Sequence, residues 1–141
     1  MTLRHLSDMV QNKNPVTLPA GAAVQEACQR MRDRHVGAVL VTDTEHRLVG
    51  IFTGRDAVAR VLAEGRDVAK TQLADVMTAA PSTLAPGMTA IDALHLMQDG
   101  GFRHVPIVDQ ERIVSVVSRG DFRGLEQARL DEETELMERI W

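Results

Sequence analysis

The chain repeats itself. Laying the residues from Pro15 onward over those from Pro81 onward, a shift of 66 positions, pairs Thr17 with Thr83, Leu18 with Leu84, Gly21 with Gly87, Ala27 with Ala93 and Met31 with Met97. The pairing continues through Asp33 and Asp99, Val39 and Val105, Asp43 and Asp109, and Glu45 and Glu111. Dropping His46 then restores register at a shift of 65, where Arg47 meets Arg112, Val49 meets Val114 and Asp56 meets Asp121. A repeat this long is a domain-sized unit, not a solenoid period. Units of about 60 residues are marginal alone, so the halves of this 141-residue chain are expected to share a core. A site on one half invites a counterpart on the other.

Within the first copy Val24, Ala27, Cys28 and Met31 fall at i, i+3, i+4 and i+7, which predicts a helix over about residues 22–34. The second copy repeats the stripe with Ala90, Ala93, Leu94 and Met97. Gly100 and Gly101 are expected to close that second helix, because a residue without Cβ takes the left-handed conformation easily. His35 and Gly37 are expected to do the same in the first. Apolar, β-branched runs at 38–42 and 48–53, and again at 105–108 and 113–118, flank polar turns and predict a hairpin in each half, buried on both faces. A short strand at Thr17-Leu18 (Thr83-Leu84) comes first. A helix from near Arg55, with Ala57, Val58, Val61 and Leu62 on one side, comes last.

The order per half is thus β-α-β-β-α, an α/β (α+β) unit with one sheet face covered by helices and the other available to its twin. The expected architecture is two such repeats packed sheet to sheet around a pseudo-twofold. Their boundaries are read as 1–66 and 67–124. Residues 125–141, without Gly or Pro and dense in Glu, Arg and Leu, predict a C-terminal helix that ends on the i, i+4 pairs Leu136 with Ile140 and Met137 with Trp141. That apolar end either folds back on its own domain or crosses to a second chain.

Composition removes several function classes. A formal charge of −4 argues against binding duplex nucleic acid through a broad basic field, while leaving room for a local pocket for one small anion. The single Cys28 excludes an intrachain disulfide and a Cys-rich zinc site, and the five His lack metal-ligand spacing. No run of about 18 apolar residues occurs, and Met1 to Met9 do not read as a signal peptide, so a cytoplasmic protein without a membrane partner is expected. No nucleophile, base and orienting group are ordered as in hydrolases, and no Gly-rich phosphate loop occurs. We expect no enzyme activity.

The most pointed constellation is Thr53-Gly54-Arg55-Asp56, echoed by Ser118-Arg119-Gly120-Asp121, each at a strand end before a helix. Two readings of it stand. A hydroxyl followed three residues later by a carboxylate resembles a capping box, in which both groups satisfy free backbone N–H groups. The same geometry suits a ligand, because a helix start attracts phosphate, a hydroxyl can donate to it, and a carboxylate accepts from two ribose hydroxyls.

Taken with their order and duplication, three further stretches carry a resemblance: Leu73-Ala-Asp-Val-Met-Thr-Ala-Ala-Pro81, Ala93-x-x-x-Met97, and His104-Val-Pro-Ile-Val-Asp109. With Gly50-Ile-Phe-Thr-Gly-Arg-Asp56 they make the chain similar to a tandem pair of cystathionine-β-synthase (CBS) domains over about Leu6 to Gly124. The resemblance implies a regulatory module that binds AMP, ADP, ATP or S-adenosylmethionine between its repeats, requires no cofactor, and signals to an unknown protein target. It implies that Thr53, Arg55 and Asp56, and Ser118 and Asp121, face the nucleotide. Arg103 and His104 match positions where related domains set basic groups against phosphate, whereas the first repeat has Gly37 and Ala38 there. Adenine would lie near Val16, Thr17, Val36 and Val39 in one site and near Thr83, Phe102 and Val105 in the other. The resemblance also implies a homodimer, to which the C-terminal helix would contribute. The competing expectation is a ligand-independent dimeric adaptor whose hydroxyl–Asp motifs only cap helices.

Overall fold

The structure is a computed structural model that describes residues 4–9 and 14–122. The helix expected over 125–141, with its Leu136, Met137, Ile140 and Trp141 pairs, lies outside the described residues. By backbone packing the chain forms two units. One comprises Asn14–Ser82 with Gln110–Ile113, and the other comprises Met1–Lys13, Thr83–Asp109 and Val114–Trp141. We call them the first-repeat and second-repeat units.

In the first-repeat unit, β1 (Thr17–Pro19) pairs in parallel with β2 (Ala38–Thr42), which pairs antiparallel with β3 (Leu48–Thr53). The helix α2 (Val24–Arg34) joins β1 to β2. Val24, Ala27 and Met31 are buried on its inner stripe and Cys28 packs against them, so the 3.6-residue spacing serves as expected. All five residues of β2 are buried, which accounts for its unbroken apolar run. A short helix α4 (Leu73–Val76) and the strand β4 (Thr78–Ala79) complete the unit, with β4 paired to β3 through Gly50 and Ala79. The Met77 side chain packs directly over Gly50, so a larger residue there would make the methionine shift.

The second-repeat unit copies this design. Its helix α5 (Ala90–Gly100) buries Ala90, Ala93, Leu94 and Met97, and β5 (His104–Asp109) pairs with β6 (Arg112–Ser118). Thr83-Leu84 contributes a single parallel bridge, Leu84 to Ile107, in the register of Leu18 to Val41. The lead-in helix α1 (Leu6–Met9) belongs to this unit, with Leu6 fully buried in its core. Leu6 N–H donates to the Met88 carbonyl at 2.8 Å just as Leu73 N–H donates to the Ala22 carbonyl at 2.9 Å. The stretch before each repeat therefore packs on the other repeat's helix and strands, and the units of packing differ from the linear segments 1–66 and 67–124.

Two local expectations need correction. Gly100 lies inside α5, and Gly101 alone takes the left-handed cap at φ 72°; in the first copy His35, at φ 53°, does this and Gly37 does not. A second Gly was unnecessary because one left-handed residue lets the N–H two positions past the helix end bond back, as Val36 to Met31 and Phe102 to Met97 show. The helix α3 (Gly54–Asp56) runs into a π-helical turn, Ala57–Leu62. Bonds from i to i+5, such as Ala63 N–H to the Val58 carbonyl at 2.9 Å, break the i, i+4 stripe. Val61 is buried, while Val58 and Leu62 are 60% and 66% exposed.

Candidate functional site

Each hydroxyl–Asp motif sits where a strand ends and a helical turn begins. Thr53 closes β3 with extended backbone (φ −117°, ψ 169°), leaving the first N–H groups of α3 without helical acceptors. Asp56 N–H donates to Thr53 Oγ1 at 3.3 Å. In return Asp56 Oδ2 accepts the Thr53 N–H at 3.0 Å and the Thr53 hydroxyl at 3.2 Å. The reciprocal capping box is formed, with Asp in the place usually held by Glu or Gln.

Asp56 is 13% exposed at its side chain, and its other oxygen faces Arg60 Nε at 3.6 Å. The Arg60 guanidinium also donates to the Met77 carbonyl at 2.9 Å, so it ties Asp56 to the end of α4. Behind the motif, Gly54 N–H donates to the Gly37 carbonyl at 3.2 Å and fixes the start of β2 beside it.

The second-repeat unit builds the same arrangement with different surroundings. Ser118 N–H donates to Asp121 Oδ2 at 2.7 Å, and the Ser118 hydroxyl lies 3.2 Å from the same oxygen. Arg119 N–H donates to the Arg103 carbonyl at 2.9 Å, the counterpart of the Gly54 to Gly37 bond. That bond brings Arg103 and His104 alongside Ser118 and Asp121. Arg103 is exposed and His104 half-buried. Burial pushes the His104 imidazole below its ordinary pKa; the Asp121 carboxylate opposes this by attraction and Arg103 adds to it. Arg4 reaches the same turn, its guanidinium donating to the Asp121 carbonyl at 3.2 Å.

The structure thus brings Thr53 together with Asp56, and Ser118 with Asp121, Arg103 and His104. Arg55 is exposed on the first turn of α3. The residues expected near adenine divide by burial. Val16 and Val39 belong to the first core and Val105 to the second, while Thr17, Val36 and Thr83 are open to solvent and Phe102 is half-buried against Gly100. A cavity of about 530 Å³ opens elsewhere in the first-repeat unit; among the residues named as site candidates, Thr17 lines it. Among the described residues there is no His, Cys, Asp and Glu group that could hold a metal, and no helix is long and apolar enough to cross a membrane. Arg60 and Arg4 were not singled out in the sequence. Arg60 stands at i+4 from Asp56, ordinary ion-pair spacing that could have found it; nothing local marks Arg4, 117 residues from its acceptor.

Two small α/β units, each with a hydroxyl–Asp turn after its hairpin, define a duplicated fold. The CBS domain family model matches residues 6–63 and 73–126, and the chain belongs to that family. The CBS domain-containing protein YhcV of Bacillus subtilis is 36% identical over 105 residues, 74% of either chain. CBSCBSPB1 of Arabidopsis thaliana is 36% identical over 102 residues, 72% of this chain; the chain spans only 19% of that protein's length. Among solved structures, the CBS domain protein PAE2072 from Pyrobaculum aerophilum, complexed with AMP, superposes with a TM-score of 0.80 at 23% identity, covering 91% of this chain and 98% of that one. The CBS domain pair of protein MJ0100, in complex with 5′-methylthioadenosine and S-adenosyl-L-methionine, gives 0.76 at 23% identity, over 94% and 99%. Both likenesses establish the fold.

Proposed function

We propose that the chain is a regulatory module that binds adenine nucleotides at its hydroxyl–Asp turns and passes occupancy to a partner protein by a change of conformation. The observation that carries this is the convergence of Ser118, Asp121, Arg103 and His104 at one strand end. A carboxylate suited to ribose hydroxyls and two basic groups suited to phosphate there share one turn. Related folds hold AMP, and 5′-methylthioadenosine with S-adenosylmethionine, which supports adenosine as the common element. The module carries out no reaction of its own. Its ligand acts through differential affinity for two arrangements of the protein. We read it as a cytoplasmic homodimer, and exposed Val58 and Leu62 are apolar surface of the kind a partner subunit covers.

One observation favours the adaptor reading: both motifs already spend their hydroxyl and carboxylate on each other. Thermal melting with AMP, ADP, ATP and S-adenosylmethionine separates the two. A ligand at 100 times its dissociation constant should add about 2.7 kcal/mol. No shift with any of the four would favour the adaptor.

A further inference from the structure

Asp56 and Asp121 occupy the same place in the two repeats, but different backbone follows them. After Asp56 the chain continues as a helical turn to Leu62. After Asp121 the turn stops: it spans only Arg119–Asp121, and Phe122 leaves it in extended conformation at φ −92°, ψ 141°. A side chain from the far end of the sequence reaches the Asp121 carbonyl at this turn, Arg4 at 3.2 Å in a partly buried bond.

Arg4 is held where it can do this. Its carbonyl accepts the Ala90 N–H at 2.8 Å, and the next residues are pinned by Leu6 N–H to Met88 and Ser7 N–H to Pro86. The counterpart of Arg4 in the first-repeat unit is Thr71, whose carbonyl accepts the Val24 N–H at 2.9 Å in the same way. Thr71 turns its hydroxyl to the Asp67 carbonyl instead, and Asp56 is braced by Arg60 from the next turn. Each Asp residue thus meets an arginine, the one at Asp121 coming from the N-terminal segment and the one at Asp56 from the next turn.

We propose that Arg4 is a positioning residue for the second-repeat site. By holding the Asp121 peptide it keeps the carboxylate on the Ser118 N–H, in line with the basic pair Arg103 and His104. This rests on reading Ser118 and Asp121 as a ligand site, and it adds a linkage: occupancy of that site and docking of residues 4–9 favour each other, by reciprocity. At the first-repeat counterpart the described residues show Thr71 on Asp67 and Arg60 on Asp56 instead.

The test has two arms on the full chain. Amide hydrogen exchange at Ser118 and Thr53 is compared in wild type, Arg4→Ala and Arg4→Lys. Exchange at Ser118 should quicken about tenfold in Arg4→Ala, as expected for losing one hydrogen bond to a charged donor, and recover in part with Arg4→Lys, while Thr53 stays unchanged. For binding, AMP is titrated into Asp56→Ala protein with and without Arg4→Ala, and into Asp121→Ala protein with and without it. Arg4→Ala should weaken AMP about tenfold in the first background and leave the second unchanged. Unaltered exchange at Ser118, or equal losses in both backgrounds, would overturn the proposal. A Ser118 response in a wild-type protein that binds no AMP would support the positioning role and remove the ligand reading.

Discussion

Asp56 Oδ2 takes both the N–H and the hydroxyl of Thr53, at 3.0 and 3.2 Å, which leaves Oδ1 as the oxygen facing Arg60. One carboxylate therefore closes the helix start with one oxygen and meets the Arg60 guanidinium with the other. The capping bonds fall on Oδ2, so the two readings of the motif are separated by experiment and not by the cap itself.

Asp56→Ala and Asp121→Ala should each remove one ribose acceptor and one member of a capping box. Each is expected to cost about 0.5–2 kcal/mol in denaturant unfolding and to abolish AMP binding at its own site by titration calorimetry. A stability loss with both binding events intact would assign the motif to capping alone.

The left-handed caps give a second prediction. His35 sits at φ 53° where the other copy has Gly101 at φ 72°, and a side chain in that region costs about 1–2 kcal/mol. Gly101→Ala should destabilise by about that amount. His35→Gly should stabilise by less, up to about 1 kcal/mol, because added glycine also loosens the unfolded chain. Urea midpoints of the two variants moving in the same direction would contradict this account.

Leu6 is fully buried among Leu84, Ala90, Ala93 and Val105. Leu6→Ala should cost about 2–5 kcal/mol, since a cavity adds to the lost transfer energy. Its distinctive sign is where protection disappears: amides of α5 and β5, far along the sequence, should exchange faster before those of α2 and β2. Loss confined to the neighbouring first repeat would show that the lead-in segment packs there instead.

Much of this architecture was legible from residue spacing. The strands at 38–42 and 48–53 were found at their observed limits because β-branched runs between polar turns have few alternatives. The stripe Val24, Ala27, Cys28, Met31 was equally direct. The placement of Leu6–Met9 was harder, because linear order assigns a segment to its neighbour; the signal was present in Leu6-x-Asp8, which matches Leu73-x-Asp75. The π-helical turn was out of reach, since the apolar spacing of Val58 and Leu62 fits an ordinary helix. At the site, the hydroxyl–Asp pairs could be read locally because three residues separate their members. Arg4 could not, because its bond is a product of tertiary packing alone.

The unequal surroundings of the two sites supply the last prediction. His104 and Arg103 stand where the first repeat has Ala38 and Gly37, so Arg103→Ala and His104→Gln should weaken ATP far more than adenosine. Acidity then acts on His104 in two ways. Its pKa in the folded protein is depressed, first by burial and further by Arg103, with Asp121 opposing. Above the unfolded value of about 6.5 both folded and unfolded chains carry neutral imidazole. Below it the unfolded chain takes up a proton that the folded chain resists, so stability declines on acidification until the depressed folded value is reached. His104→Gln should flatten that part of the stability profile. A bound phosphate reverses the sign, because its negative charge favours imidazolium. ATP affinity should therefore rise as pH falls from about 7.5 toward 6 while adenosine affinity stays level. Calorimetric titrations of both ligands at several pH values check this directly, and parallel curves for the two would place His104 away from phosphate.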